Sequence, residues 1–375
     1  MNEMEQLIAY AGLPTYRQAL GLPADITEEY TMLAQGEYNR NYLFTHPLTG
    51  KKLLFRVNFG SQMHLDDQIE YEYRALKLLE RSGRTPKPLY VDGSLKHIPY
   101  GVMVMEYLPG HVLDYRTENV FAAQCLADIH SVSVPEDTHL IAPLNQLRAI
   151  LEECEEMFAK YEGSLLADRQ KAAKIREMLD KVWEKADSLD KPAYRCCINT
   201  ELNSTNFLIN GEEKDNYLID WEKPLYGEPA QDLGHFLAPT TTFWKTDVIL
   251  TVQEMKDFIG EYIKYVDGRF NTEGLKERTM VYVPVTCLRG ITWCAMAWIE
   301  YQQPDKEIFN RSTYEKLEQY LSWEFLNRIE KFIDQAMVFS GKILLLLCQR
   351  YFTQHKFSSV LNKKGIPPTY AGGVP

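Results

Sequence analysis

Hydrophobic positions change period along this chain. Between residues 30 and 59 they fall at every second place, so "YTMLAQG", "NYLFTHP" and "LLFRVNF" read as strands, joined by a polar Gly36–Asn41 turn and by "PLTGKK". In "DDQIEYEYRALKLLERSG" the steps become three and four, through Ile69, Tyr73, Leu76 and Leu79, which predicts a helix over about 67–81. Two more strands, "PLYVDG" and "YGVMVMEYL", follow. After Pro109 and Gly110 the helical period takes over in "FAAQCLADIHSV", "LRAILEECEEMFAKY" and "DRQKAAKIREMLDKVWEKA", with about four more helices after residue 250. Strand-like texture returns once in this half, in "CINTELNSTNFLI" and its partner "NYLIDWE", joined through Gly211.

The pattern therefore predicts an α+β protein of two lobes. Residues 1–108 form a small antiparallel-sheet lobe with one helix, preceded by a leading helical segment over 1–28. Residues 109–362 form a larger, mainly helical lobe that carries a polar hairpin at 194–222, with further helices over 250–350. The closing "KKGIPPTYAGGVP", residues 363–375, reads as an unstructured tail. A cleft between two such lobes is a common place for a ligand.

Two charges stand where the pattern calls for apolar residues. Alternation along "LLFRVNF" puts Leu54, Arg56 and Asn58 on one side and Phe55, Val57 and Phe59 on the other, so Arg56 interrupts an apolar strand. Glu72, three after Ile69 and four before Leu76, lies on or beside the apolar face of the following helix. Pairing Arg56 with Glu72 would satisfy both, because a buried charge needs a counter-charge. The alternative has Arg56 reaching solvent along its stem, with Glu72 flanking the face and Lys52 as the spare cation. In the hairpin, Asn206 opens "NFLIN" and Asp220 closes the apolar part of "YLIDWE", so strand pairing through Gly211 brings an amide and a carboxylate side by side. That is half of a magnesium site, since magnesium takes its remaining ligands from water and phosphates. Glu201, in the loop five residues before Asn206, is within reach of a substrate hydroxyl. The competing reading is a polar hairpin with a decorated turn.

Composition adds exclusions. A formal charge of −11 and the lack of any basic stripe with interleaved aromatics argue against nucleic acid and suit a neutral or cationic small ligand. Seven scattered cysteines, with no CxxC, fit a reducing compartment. The acidic "MNEMEQLIAY" has no signal-peptide core, and the aliphatic run Ile343–Leu347 is too short to span a bilayer, so the expected location is the cytoplasm, with no membrane contact.

The order of these features resembles the aminoglycoside phosphotransferase and choline kinase superfamily, with its protein-kinase-like fold, over roughly residues 30–330. "NTELNSTNFLI" is similar to that family's catalytic loop and "IDWE" to its second metal motif. "AQGEYNRNYLF" is similar to its nucleotide loop, "FRV" to the strand bearing its phosphate-contacting cation, "MVMEYLPG" to its hinge, and "QDLGHFL" to the segment that braces the catalytic loop. The resemblance implies ATP and Mg2+ as cofactors and γ-phosphoryl transfer to a hydroxylated small molecule, by a monomer or homodimer. Glu201 and Asn199 fall in the catalytic loop, Asn206 and Asp220 at the metal, and Gly36, Asn39, Arg56 and Glu72 about the nucleotide. Backbone groups of Met105 and Tyr107 are implied for adenine, and Asp232 as the brace. The chain departs from the family in having Asn199 where histidine is usual and Glu201 where aspartate is usual. A carboxylate moved by about 1 Å can cost ~100-fold in rate, so a nucleotide-binding pseudoenzyme is the alternative to a working kinase. For the acceptor, Trp221, Glu222, Trp293 and Trp298 combine aromatic faces with carboxylates, which suits a cationic amino alcohol or amino sugar; an aromatic helix that is simply core is the competing account. His130, His235 and Arg289 have no assigned partner, and "EECEE" reads as a solvated face.

Overall fold

The computed structural model describes residues 3–212, 214–303 and 311–336. Two short helices, α1 (Glu3–Ala11) and α2 (Pro14–Leu20), precede β1 (Thr31–Gln35), β2 (Asn39–Thr45) and β3 (Lys52–Asn58). Helix α3 (Gln68–Leu79) leads to β4 (Pro88–Asp92) and β5 (Gly101–Glu106). These five strands make one antiparallel sheet in the order β1-β2-β3-β5-β4. Alternation along β3 decides what covers each face. Phe55 and Val57 point outward into an aromatic layer with Tyr10 and Tyr16 of the leading helices, whose rings meet Phe55 edge to face at 6.0 and 5.8 Å. Arg56 and Asn58 point the other way, towards α3 and the cleft.

The larger part begins with β6 (His111–Val112), α4 (Asn119–His130), α5 (Gln146–Glu162) and α6 (Arg169–Trp183). It continues with β7 (Cys196–Ile198), β8 (Phe207–Ile209), β9 (Tyr217–Leu218), β10 (Leu225–Gly227), α7 (Pro229–Leu237), α8 (Pro239–Lys245), α9 (Val252–Val266), α10 (Leu275–Tyr301) and α11 (Arg311–Tyr320). This is the expected α+β architecture, an antiparallel sheet followed by a mainly helical part. The expected pairing of "NFLIN" with "YLIDWE" through Gly211 forms, as β8 on β9. Strand β7 pairs with β10, whereas β8 lies between β6 and β9, because the chain turns through a tight helical step at Ser204–Asn206. The register of β8 on β9 sets Phe207 opposite Leu218, and the Ile219 amide donates to the Asn206 carbonyl at 2.8 Å, so Asn206 and Asp220 do end up adjacent.

Helix α10 is the spine of this part, packed by α5, α7, α8 and α11. Among the described residues it is the one helix long and apolar enough to cross a membrane, yet 78% of its most apolar window is buried inside the protein. Gly290 gives α8 its close approach, since a Cβ there would meet the Thr240 side chain at 2.7 Å. Ile343–Leu347 and the 363–375 tail lie outside the described residues.

The leading helices are tied down by a buried ion pair. Arg17 donates to both oxygens of Glu28, at 2.8 and 3.2 Å, and to the carbonyls of Ala11 and Asp25. Removing one partner strands the other charge, so Arg17→Met should lower unfolding stability by about 3–5 kcal/mol. Urea denaturation measures this, and a loss under about 1 kcal/mol would show that α1 and α2 do not fold cooperatively with the sheet.

Candidate active site

On the sheet side of the cleft, Arg56 donates to Glu72 and, at 3.0 Å, to Asn41 Oδ1. Both charged residues are buried, so the pairing anticipated from the strand and helix patterns forms, and Arg56 does not reach solvent. Burial works against the Arg56 charge, but the carboxylates of Glu72, Glu222 and Asp220 outweigh it and hold the guanidinium above its ordinary value. Burial raises the Glu72 carboxyl despite Arg56, and its Oε2 has no hydrogen-bond partner among the described residues. Lys52 instead lies over the Tyr107 ring at 5.7 Å. Helix α3 also reaches across to the segment after Asp220: Gln68 donates to the Glu222 carbonyl at 2.7 Å and Tyr71 to the Pro224 carbonyl at 2.6 Å.

The loop between β7 and β8 is built on backbone bonds. Asp232, with no exposed surface, accepts the amides of Asn199 and Thr200, each at 2.8 Å, and lies 3.2 Å from the His130 ring. Thr200 is thereby held at φ +72°, a conformation costly for a β-branched residue. Asn199 is buried; its amide donates to the Asp220 carbonyl at 2.7 Å and its Oδ1 accepts the Glu201 amide at 3.1 Å. Asn206 donates to the Glu201 carbonyl at 3.1 Å, which leaves its Oδ1 without a hydrogen bond among the described residues. Asp220 itself sits at φ +67°. Burial and then the Glu222 carboxylate push the Asp220 carboxyl up to about 7, against the pull of Arg56.

Among the described residues no three His, Cys, Asp or Glu side chains form a metal cage. The donor set nevertheless fits a hard cation that also takes phosphate oxygens: one solvent-accessible carboxylate, Asp220, with further carboxylates crowding it, beside an amide oxygen on Asn206 that has no hydrogen bond among the described residues.

Beyond Glu201 opens a cavity of about 230 Å³, lined by Asn203, Thr240, Thr241, Trp244, Thr286, Arg289 and Trp293 among others. Arg289, on α10, bridges two carboxylates: it donates to Glu153 at 2.9 and 3.2 Å and to Glu201 at 3.1 Å. Lys223 donates to the same Glu153 at 2.8 Å. Burial opposes ionisation of Glu153, but Arg289 and Lys223 override it and hold its carboxyl down at about 2.

A family described as "Phosphotransferase enzyme family" matches residues 29–257. The chain belongs to this phosphotransferase family. The phosphotransferase fold is also that of solved structures that share little sequence with it. A choline kinase from Cryptosporidium parvum Iowa II is 15% identical with a TM-score of 0.64, covering 92% of this chain and 99% of that one. An ethanolamine kinase from Plasmodium vivax is 15% identical with a TM-score of 0.58, covering 86% and 90%. A spectinomycin phosphotransferase in complex with ADP and spectinomycin is 14% identical with a TM-score of 0.55, covering 84% and 95%. No curated protein matches the sequence.

Within the phosphotransferase frame, several expected positions are redistributed. Gly36 and Asn39 close the β1–β2 turn through a 2.8 Å bond from the Gly36 amide to the Asn39 carbonyl, and the Asn39 side chain donates to Glu222. Glu222 therefore belongs with Asp220 and Arg56, away from the cavity. Trp221 is 1% exposed, with its indole N–H on the Leu218 carbonyl at 3.1 Å, so it is core and cannot face an acceptor. Trp298 packs edge-on against Tyr161 rather than lining the cavity, and of the expected aromatics only Trp293 does so. Met105 is buried, and the Tyr107 amide is taken by the Lys52 carbonyl, which leaves the Tyr107 carbonyl as its open backbone group. Glu153, from the "EECEE" run, is only half-buried but turns inward onto Arg289, while Glu152 and Glu156 are exposed as expected. Arg289 had a visible signal: it is the single charged residue between Arg278 and Glu300 of an apolar helix. Trp244 had none.

Asp220 gives a signed pH dependence. Its folded-state value lies above that of the unfolded chain, so ionising it costs stability as pH rises from about 4 to about 7. Because Asp220 is solvent-accessible and screening reduces the cost, Asp220→Asn should raise Tm by only about 1–2 °C above pH 7 and by almost nothing near pH 4. Calorimetry across that range tests it, and a variant that is less stable at pH 8 would contradict the strained-carboxylate reading.

Proposed function

We propose that the protein transfers the γ-phosphoryl group of ATP to a hydroxyl of a small molecule, with magnesium as the metal. The observation that carries this reading is the single hydrogen-bonded frame around Glu201, Asn206 and Asp220. Asn199 ties the Asp220 carbonyl to the Glu201 amide, Asn206 ties back to the Glu201 carbonyl, and Asp232 holds the frame from beneath. Three oxygen-bearing groups of this order, next to a cavity on one side and a buried guanidinium on the other, suit in-line phosphoryl transfer, which is mostly positioning and charge stabilisation.

Asp220 and Asn206 would hold the magnesium, which supplies neutralisation of phosphate charge. Arg56, held charged by its carboxylate neighbours, faces the same region and draws phosphate oxygens. Backbone amides of the Gly36–Asn39 turn other than that of Gly36 itself cover them, and the hinge carbonyl of Tyr107 receives the adenine amino group. Glu201 accepts a hydrogen bond from the acceptor hydroxyl and orients it. A loose transition state asks little of the base, so a glutamate serves here as well as an aspartate would.

The test is ADP formation from Mg–ATP with a pooled set of hydroxylated acceptors, alongside Mg–ATP-induced thermal stabilisation. Glu201→Ala should lose at least about 100-fold in turnover while keeping the thermal shift. Asp220→Ala should lose both. Unchanged turnover in Glu201→Ala would remove Glu201 from the chemistry, and a clear thermal shift without turnover in the native protein would leave a nucleotide-binding module.

A further inference from the structure

The cavity beyond Glu201 has an unusual charge balance for a site expected to hold a cation. The charged side chains at its wall are Glu201 and Arg289, and they are bonded to each other at 3.1 Å. Behind them a second cavity of about 220 Å³ brings in Glu153 and Lys223, again one of each sign and bonded at 2.8 Å. His235, which borders both cavities, is kept neutral because burial drives its ring down to about 3. Among the described residues that line the two cavities, two cations thus face two anions with no carboxylate left over. An ammonium group entering this space would meet the half-buried Arg289 guanidinium and find no spare counter-charge among the described lining residues, since the carboxylate after Asp220, Glu222, is bonded to Asn39 on the other side of Glu201's loop. An anion would meet Glu201 in the same way.

The remaining polar groups are hydrogen-bonding rather than ionic. Arg289 spends Nε and Nη2 on carboxylates, and its Nη1 has no hydrogen-bond partner among the described residues. The hydroxyls of Thr241 and Thr286 likewise form no hydrogen bond among the described residues, and both residues line the cavity. These donors and acceptors sit opposite an aromatic wall, where Trp293 and Trp244 meet edge to face at 5.4 Å and 87°. An apolar wall facing a few convergent polar groups recognises a molecule that is carbon on one side and hydroxyl on the other. At about 230 Å³ the space is smaller than the ~300–1,000 Å³ of sites for drug-sized ligands, so a compact acceptor of about one ring matches it in size.

We propose that the acceptor is an uncharged polyol about one sugar ring in size, seated with its carbons against Trp293 and Trp244 and its hydroxyls on Arg289, Thr241 and Thr286. This rests on the phosphotransferase reading and replaces the cationic acceptor that the aromatic residues alone suggest. In the transfer step the polyol oxygen bonds to the γ-phosphorus as the bond to the ADP oxygen breaks, and the hydroxyl proton leaves by way of Glu201.

Two measurements on the full chain separate this inference from the reading beneath it. The first is ADP formation with D-glucose, D-ribose, myo-inositol and glycerol, against choline, ethanolamine and spectinomycin. The second is calorimetric titration of the same compounds into protein saturated with Mg–ADP. At least one neutral polyol should show a kcat/KM tenfold or more above every cationic compound. Binding of a polyol without transfer would uphold the acceptor class and overturn the phosphotransferase reading. Transfer to a cationic compound with the polyols inert would overturn the acceptor class and leave that reading standing, and so would failure of all four polyols to bind. Trp293→Ala should weaken polyol binding tenfold or more, with Trp293→Phe recovering part of it. Unchanged affinity in the folded Phe and Ala variants would place the acceptor elsewhere and overturn the proposal.

Discussion

Asp232 is a buried carboxylate whose partners are two backbone amides of the loop it underlies and the ring of His130. The loop in turn contains Thr200 in a left-handed conformation that a β-branched residue does not adopt on its own. Those two facts belong together. The amides of Asn199 and Thr200 can both aim at one carboxylate only if the chain turns sharply there, and the strain of that turn is held by the charge-assisted bonds it makes possible. Once the turn is set, Asn199 spans from the Asp220 carbonyl to the Glu201 amide and Asn206 closes on the Glu201 carbonyl. The positions of the three oxygen-bearing groups are consequences of this one anchor, which lies on α7, an element that carries none of them.

The two sides of Glu201 are electrostatically unlike. Towards the sheet, Arg56 is set against Glu72, Asp220 and Glu222, and desolvation followed by the excess of negative charge raises Asp220. Towards α10, Arg289 and Lys223 are matched by Glu153 and Glu201, and Glu153 is correspondingly depressed. One side asks for a cation and the other does not. A fold that brings a metal and a triphosphate to the first and a neutral molecule to the second meets both conditions without further counter-ions.

Much of this was legible in the sequence, for a definable reason. Period-two and period-3.6 patterns name the elements that position the site, and a charge that interrupts such a pattern announces itself, as Arg56 does in β3 and Glu72 in α3. The pair could be read because the two residues lie on consecutive elements packed on each other. Arg289 interrupts α10 just as plainly, but its partner Glu153 is 136 positions away in an acidic run, where periodicity and composition both favour a solvated face. Trp221 misleads for the opposite reason. It follows Asp220 directly, and adjacency suggested shared work, yet the left-handed turn at Asp220 sends the indole inward to the Leu218 carbonyl. Neighbours in sequence point apart where the backbone turns, and residues far apart meet where helices cross.

The substitution of glutamate at 201 gains its physical sense from α10. A glutamate carries one more rotatable bond than an aspartate, so its carboxylate samples more positions and would lose more freedom when it engages a hydroxyl. Here Arg289 already holds one of its oxygens, and Arg289 is itself held by Glu153, which Lys223 grips from the other side. The restraint is imposed on folding rather than on binding, and the second carboxylate oxygen remains to face the cavity. Gly290 belongs to the same device, since the close packing it allows against Thr240 sets α8 and its Trp244 against the α10 turn that carries Arg289. On the proposed phosphotransfer reading, preorganisation of this kind would turn a longer side chain from a loss of aim into a charge held ready beside an acceptor.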